Sequence, residues 1–204
     1  MEINLKNRIL DTLSDVFDCA LTGFYWLICS LPIITAGTAS AAAYSVLLDV
    51  DRSTGSITGK FFRAFRSNFR ETTRIWCVLL LCGFIIGINM NYCCSIETES
   101  KWNYISRILL SAAALCTLTC MTVIFPITAK FKVTFSQAFY NVFVYTLKAP
   151  GWVFLMLALT MAMALGFYLL LAFGFLTAGL CMYLQSLIFI KMNPDFFPKE
   201  SDME

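Results

Sequence analysis

The last apolar block of the chain constrains its fold more than any other feature. Residues 151–190 form a run of 40 residues that contains no Asp, Glu, Lys or Arg. A single helix of that length would reach roughly 60 Å, about twice the hydrocarbon core of a bilayer. We therefore predict two membrane-spanning helices, over about 150–168 and 171–190, joined by a tight turn near 167–172.

Three more apolar blocks precede this one, over about 16–36, 75–94 and 105–127. Hydrophobic residues make up 59% of the chain and charged residues 14%, whereas about a quarter of an ordinary soluble domain is charged. The charges are concentrated between the apolar blocks, as expected of a chain with lipid around its middle and water at both sides. The sequence predicts an all-α fold, a polytopic transmembrane helix bundle of about five spans that forms a single membrane domain over 1–204.

The first apolar block has a competing interpretation as a cleaved signal peptide. Basic residues, an apolar stretch and then the small residues of 36–41 loosely resemble one. However, Asp11, Asp15 and Asp18 lie where such a peptide is basic, and the apolar run is long for its hydrophobic region. We therefore expect this block to remain as the first span.

The distribution of Lys and Arg predicts the orientation of the chain. In a five-span topology, 11 of the 15 basic residues fall on one side and 4 on the other. Cytoplasmic loops carry the excess of Lys and Arg. The N-terminus is therefore predicted to lie outside the cell and the C-terminus in the cytoplasm.

Two proline motifs form a weak internal repeat. Residues 31–36 read Leu-Pro-Ile-Ile-Thr-Ala, and residues 125–129 read Phe-Pro-Ile-Thr-Ala. Proline lacks an amide hydrogen and clashes with the preceding helical turn, so we expect a helix to kink or stop at Pro32 and at Pro126. Gly37 follows the first motif and begins a stretch of small residues, which predicts a short, tightly packed helix. The pattern indicates a weak two-fold helix-pair repeat.

Each proline motif is followed by a segment with helical periodicity, over about 57–74 and 131–147, and both segments are predicted to be amphipathic helices at the cytoplasmic surface. In the first, basic residues and phenylalanines fall on opposite sides at 100° per residue, which is typical of an interfacial helix. Its basic residues, predicted to contact lipid or a partner, are Lys60, Arg63, Arg66, Arg70 and Arg74. A positive anchor for the next span explains this segment equally well. The second segment is less basic and is predicted to cover the bundle's cytoplasmic end.

The sequence offers little catalytic chemistry. It has no His and no phosphate-binding loop, dinucleotide-binding fingerprint or nucleophile elbow. We therefore predict no enzyme activity, no cofactor and no metal site. A carboxylate pair such as Asp49 and Asp51 fits a helix end or a solvated loop better than a catalytic dyad. The net charge of +2 is too small to indicate nucleic-acid binding.

Most of the nine cysteines lie inside apolar runs, where Cys behaves as a small hydrophobic residue. Cys93 and Cys94 lie at the end of a segment, and the sequence leaves their redox state open.

Residues 26–44 (Trp-Leu-Ile-Cys-Ser-Leu-Pro-Ile-Ile-Thr-Ala-Gly-Thr-Ala-Ser-Ala-Ala-Ala-Tyr) resemble the N-terminal signature of the YesL-like family, domain of unknown function 624. The stretches 61–73 and 125–131 are also similar to that family, with Lys130 where the family usually has Arg. The resemblance covers most of the chain. It implies a bacterial cytoplasmic-membrane protein whose gene often neighbours carbohydrate ABC-transporter and glycan-degradation genes.

Two functions follow as hypotheses. The first is a non-enzymatic accessory protein of carbohydrate uptake or its regulation. Its partners would be anionic lipids of the cytoplasmic leaflet and carbohydrate ABC-transporter components, and it could form a homo-oligomer. The alternative is a small oligomeric transporter or channel for a neutral solute. A polar cavity open to one side between the two repeats would favour transport, and a dry bundle core would favour the accessory role.

Overall fold

The structure, a computed structural model, describes residues 2–49, 56–95, 101–131, 133–169 and 174–192, with backbone alone for 2–15. Its elements are α1 (Glu2–Ser30), a 3-10 turn (Ile33–Thr35), α2 (Ala36–Leu47), α3 (Ile57–Ser95), α4 (Lys101–Lys130), α5 (Phe135–Lys148), α6 (Pro150–Leu169) and α7 (Gly174–Met192). The described residues contain no strand. The predicted all-α helical bundle is confirmed.

Four helices, α3, α4, α6 and α7, are long and apolar enough to cross a membrane. They correspond to the last four predicted spans and indicate a membrane protein. The predicted turn between the last two spans falls mostly on residues 170–173, which lie outside the described part of the chain. The first predicted span is not among the four, because the apolar part of α1, Val16–Ser30, is shorter than the roughly 20 residues that a crossing needs.

The first apolar block, with a predicted span over 16–36 and a predicted kink or stop at Pro32, is divided into two helices. Helix α1 ends at Ser30, and the 3-10 turn then leads into α2. The last carbonyls of a helix lack partners within it. Here the Thr35 hydroxyl donates to the Cys29 carbonyl at 2.7 Å and lies 2.8 Å from the Pro32 carbonyl. Helix α1 therefore ends with its C-terminus capped by Thr35, and α2 begins after that cap.

The second proline motif has a different outcome. Pro126 lies inside α4, which continues to Lys130, so the helix does not stop there. Proline leaves the carbonyl four residues earlier without its usual donor. All seven residues of 122–128 are buried, and the packing they make offsets that loss. The first motif also has one more residue between its Pro and its Thr.

Helix α3 corrects the prediction of a separate interfacial helix over 57–74. The structure has one helix of 39 residues through that segment and the following span. No Pro or Gly lies between Gly59 and Gly83, so nothing in the sequence interrupts the backbone hydrogen bonds. At 1.5 Å per residue α3 is about 58 Å long, so it extends well beyond its own span. We call residues 57–74 the basic half of α3.

The segment predicted over 131–147 does form a separate helix, α5. Thr134 and Gln137 make a capping box at its start, in which the Thr134 amide donates to Gln137 Oε1 at 3.1 Å. At its end, Ala149 leaves the helical conformation, because the residue before a proline disfavours it. Pro150 then begins α6, a position that proline suits.

Helix α2 lies at the centre of the described bundle and contacts α1, α3, α4 and α7. Four of its alanines have no exposed surface: Ala39, Ala41, Ala42 and Ala43. Small side chains let neighbouring backbones approach closely. The predicted short, tightly packed helix after the first proline motif is thus present.

Candidate functional site

The basic half of α3 is held to the bundle by hydrogen bonds at both of its ends. The Thr58 and Tyr25 hydroxyls are 2.9 Å apart, and the Thr73 and Thr38 hydroxyls are also 2.9 Å apart. Between these points Phe61 is fully buried. One side of this half therefore packs against α1 and α2, and the other faces outward.

Four of the five predicted contact residues are exposed: Arg63, Arg66, Arg70 and Arg74. Arg74 makes an ion pair with Glu71 at 3.1 Å. Lys60 is more enclosed, and its Nζ lies 2.9 Å from Asp49 Oδ2. The structure thus gives Asp49 a role as an ion-pair partner at the end of α2, and Asp51 lies outside the described residues.

The phenylalanines of this half, which the helical projection places opposite the basic residues, differ in how far they are buried. Phe61 is buried and Phe65 is partly buried, but Phe62 is 48% exposed and Phe69 41% exposed. The packed side of this half is therefore narrower than the apolar side of the projection. The outer surface therefore combines cations with two exposed aromatic rings, a composition often found in interaction surfaces.

Two polar cavities flank the basic half. The first, about 560 Å³, is bordered by Lys60 and Arg63 of α3 and by Ser45 and Asp49 across from them. The second, about 330 Å³, lies between α3 and the α4–α5 connection. Ser67 borders both cavities. The surface is therefore indented on both sides of α3 and offers hydroxyl groups together with charge.

The five basic residues lie at different distances from the membrane-crossing part of α3. Lys60 precedes Ile75, the first residue of the predicted span, by 15 residues, or about 22 Å along the helix axis. Arg74 is adjacent to it, and Arg70 is about 7 Å away. The headgroup layer adds roughly 5–7 Å on each side of the hydrocarbon core. In an upright helix, Arg70 and Arg74 lie at headgroup level and Lys60, Arg63 and Arg66 lie beyond it.

The three residues predicted to break or pack helices occupy different surroundings. Pro32 is exposed in the connection after α1, and Pro126 is buried in α4. Gly37 is buried against Trp76, where an added β-carbon would lie 2.6 Å from the Trp76 Cγ. Only glycine fits at Gly37 without displacing that ring.

A second polar cluster lies inside the bundle, where Gln185 of α7 bonds to residues of α2 and α6. Its amide nitrogen donates to the Met156 carbonyl at 3.1 Å and to Thr160 Oγ1 at 3.0 Å. The Tyr44 hydroxyl donates to Gln185 Oε1, and Thr160 Oγ1 lies 3.4 Å from Thr122 Oγ1. The sequence marks Gln185 as a polar residue in an apolar helix, which predicts a bond to another helix. It gives no sign that Tyr44 is the partner.

The described residues hold no group of three Cys, Asp or Glu side chains that could bind a metal ion. All nine cysteines are free, including Cys93 and Cys94. The Cys93 carbonyl instead accepts two hydrogen bonds from Arg107 of α4, at 2.9 and 3.3 Å. Arg107 thereby caps the C-terminal end of α3.

Comparison with known proteins gives one match. The family described as "Protein of unknown function, DUF624" matches residues 19–90, which include most of the apolar part of α1, all of α2 and most of α3. The motif at 125–131 lies outside the matched residues. No curated protein and no solved structure matches the chain. The resemblance of this chain to the DUF624 family is thereby confirmed over residues 19–90.

Proposed function

We propose that this chain is a non-enzymatic membrane accessory protein that docks a protein partner through the basic half of α3. One observation carries the proposal: this half continues the α3 span as the same helix and presents exposed arginines, two of which an upright helix places beyond the headgroup layer. A continuous helix holds these charges at a fixed distance from the membrane, which suits a partner with an acidic surface.

The position of the charges favours a protein over a lipid. Anionic headgroups can reach Arg70 and Arg74, where each cation contributes about 1 kcal/mol. Arg63 and Arg66 lie farther out, on the part of the helix that carries the exposed Phe62. Arg63 also borders the 560 Å³ cavity. Aromatic and Arg side chains together are enriched where proteins bind one another.

For the identity of the partner we propose a component of carbohydrate uptake, located in the bacterial cytoplasmic membrane. This choice rests on the family resemblance alone, because the contacts of the chain itself do not identify the partner. In this role the protein would position or regulate the uptake system, and its own residues would carry out no reaction.

Charge reversal at two positions on the same helix tests the proposal. In one variant Arg63 and Arg66 become Glu, and in the matched control Arg70 and Arg74 become Glu. Each variant and the unchanged chain are tagged and purified in mild detergent from cells grown with and without an inducing sugar. Bound proteins are then identified by mass spectrometry.

We expect a carbohydrate-transporter component to co-purify with the unchanged chain and with the Arg70/Arg74 control, and to be lost from the Arg63/Arg66 variant. If no transporter component is recovered under either growth condition, the proposed identity of the partner is refuted. Equal recovery with all three chains would refute the docking surface.

A further inference from the structure

A cavity of about 190 Å³ lies inside the bundle, apart from the basic half of α3, and six helices contribute to its wall. Trp26, Tyr44, Trp76 and Phe125 supply aromatic groups, and Thr160 and Gln185 supply polar groups. A ligand pocket is usually of this kind, mostly apolar with a few convergent polar groups. A cavity of about 150 Å³ is large enough for benzene, so this one can hold a single ring with a substituent.

The cavity suits only an uncharged ligand. None of its lining residues is Asp, Glu, Lys or Arg. A charged molecule would therefore enter without a counter-charge, and burying an unpaired charge in an apolar environment is strongly unfavourable.

The polar groups of the wall have already donated their hydrogens within the protein. Three of these groups donate to side chains: Trp26 Nε1 to Ser40 Oγ at 3.0 Å, Tyr44 Oη to Gln185 Oε1, and the Gln185 amide to Thr160. The other hydrogen bonds go to backbone carbonyls: Ser40 Oγ to Ala36 at 2.9 Å, Trp76 Nε1 to Ile33 at 2.6 Å, Thr122 Oγ1 to Leu118 at 2.8 Å, Thr160 Oγ1 to Met156 at 2.9 Å, and the Gln185 amide to Met156. What remains is lone pairs on oxygen atoms such as Tyr44 Oη and Gln185 Oε1. A ligand that bonds to this wall must therefore donate the hydrogen.

Among the residues that line the cavity, only Leu118 of α4 has an exposed side chain, so entry is least hindered beside it. Leu118 on its wall is 43% exposed, whereas Thr122, one turn farther along α4, is 6% exposed. Leu118 belongs to a helix that is apolar enough to cross a membrane, so the opening faces the lipid. A molecule that enters there arrives dissolved in the bilayer and must itself be hydrophobic.

We propose that this cavity is a binding site for a small uncharged hydrophobic molecule that carries a hydroxyl group, with a phenol as the best-fitting class. The aromatic wall contacts the ring, and the hydroxyl donates to the oxygens of the Tyr44–Gln185 cluster. This site lies apart from the basic half of α3 and does not depend on the docking role proposed above.

Tryptophan fluorescence can report binding, because Trp26 and Trp76 line the cavity and the chain has only four tryptophans. Trp102→Phe and Trp152→Phe remove the other two emitters. The full chain is reconstituted in lipid nanodiscs and titrated with 4-bromophenol, whose bromine quenches tryptophan on contact. The matched probe is 4-bromoanisole, which keeps the ring and bromine but has no hydroxyl hydrogen to donate.

We expect saturable quenching by 4-bromophenol and only gradual, unsaturable quenching by 4-bromoanisole. Gln185→Leu should weaken 4-bromophenol binding by roughly threefold to tenfold, the effect of one lost hydrogen bond. Thr177→Val is the matched control on the same helix, because Thr177 bonds to Gly174 and does not line the cavity. Its affinity should equal that of the parent chain.

Three results would overturn the proposal. They are equal quenching by the two probes, unchanged affinity in the Gln185→Leu chain, and failure of phenol, which carries no bromine, to relieve quenching by phospholipids with brominated acyl chains. The last result would show that a lipid tail occupies the cavity. Should Gln185→Leu not fold, Tyr44→Phe tests the same hydrogen-bonding cluster, and the comparison of the two probes needs no substitution in it.

Discussion

Gly23 of α1 and Gly179 of α7 lie against each other, so that a β-carbon added to Gly23 would be 3.0 Å from the Gly179 nitrogen and 3.1 Å from its Cα. Both neighbours are backbone atoms, which cannot rotate away as a side chain can. The contact joins the short apolar segment Val16–Ser30 to α7, a helix that is long enough to cross the membrane.

Gly23→Ala should therefore destabilise the protein, although helix propensity alone favours Ala over Gly by up to about 1 kcal/mol. Overpacking costs about 1–3 kcal/mol, so we expect the packing effect to decide the sign. The measurement is the thermal unfolding midpoint in detergent, followed by fluorescence-detected gel filtration. Gly87→Ala in α3 is the control, because nothing lies within 4 Å of its added β-carbon. A higher midpoint for Gly23→Ala than for the unchanged chain would contradict the close contact.

Tyr44 and Gln185 should show energetic coupling. Polar contacts between membrane helices average about 0.6 kcal/mol, with a maximum near 1.7 kcal/mol. We expect Tyr44→Phe and Gln185→Leu each to lower stability and the double variant to lower it by less than their sum. The measurement is the free energy of unfolding of the four chains in mixed micelles. Additive effects would mean that the two side chains do not interact.

Trp76 should anchor the turn after α1. Its Nε1 donates to the Ile33 carbonyl at 2.6 Å, and Gly37 packs on its side chain. Trp76→Phe removes that hydrogen bond, a loss of about 1 kcal/mol, whereas Gly37→Val forces the ring to move and should cost more. Protease cleavage within residues 31–35 should be faster in both variants, and cleavage at the rate of the unchanged chain would argue against the anchor.

The continuity of α3 gives a distance that spectroscopy can measure. Phe62 and Ile85 are both exposed and 23 residues apart, so spin labels introduced there as non-natural amino acids should be about 35 Å apart along one straight helix. A surface helix that meets the span at an angle would bring them closer. A double electron–electron resonance distance well below 30 Å would favour the arrangement that the sequence predicts.

The number of spans predicts how Lys60 and the C-terminus lie relative to the membrane. In the part of the chain that the structure describes, four helices can cross it, and all four cross after Lys60. We therefore expect Lys60 and the C-terminus on the same side, and the count of Lys and Arg predicts the cytoplasm. At the C-terminus, a fused reporter enzyme that works only in the cytoplasm should therefore be active, and one that works only outside the cell should be inactive. The predicted outside position of the N-terminus depends on whether α1 crosses, and a reporter at that end tests it separately.

Parts of the fold follow directly from sequence patterns. The charge-free run of 151–190 is too long for one span, and α6 and α7 begin and end close to the predicted positions. The boundary at residue 74 could not be placed in the same way. The change from a basic to an apolar segment marks a change of surrounding solvent, while the backbone hydrogen bonds of α3 continue across it.

One of the two candidate sites could be found from the sequence and the other could not. The arginines of the basic half are visible in the sequence because charge is sparse elsewhere. The central cavity is not, because its walls come from residues as far apart as Trp26 and Gln185, and ordinary aromatic, Thr and Gln residues carry no local pattern.

The sequence by itself determined that this is a helical membrane protein, where its long apolar helices lie, and which helix carries its concentrated positive charge, because hydrophobicity and helix-breaking residues are local properties. Only the tertiary structure decided that helix α1 ends before Pro32 whereas helix α4 continues through Pro126, since surrounding packing sets whether a helix tolerates a missing hydrogen bond. The structure alone also joined Tyr44 to Gln185, a contact between residues 141 positions apart that depends on how α2 fits among its neighbours.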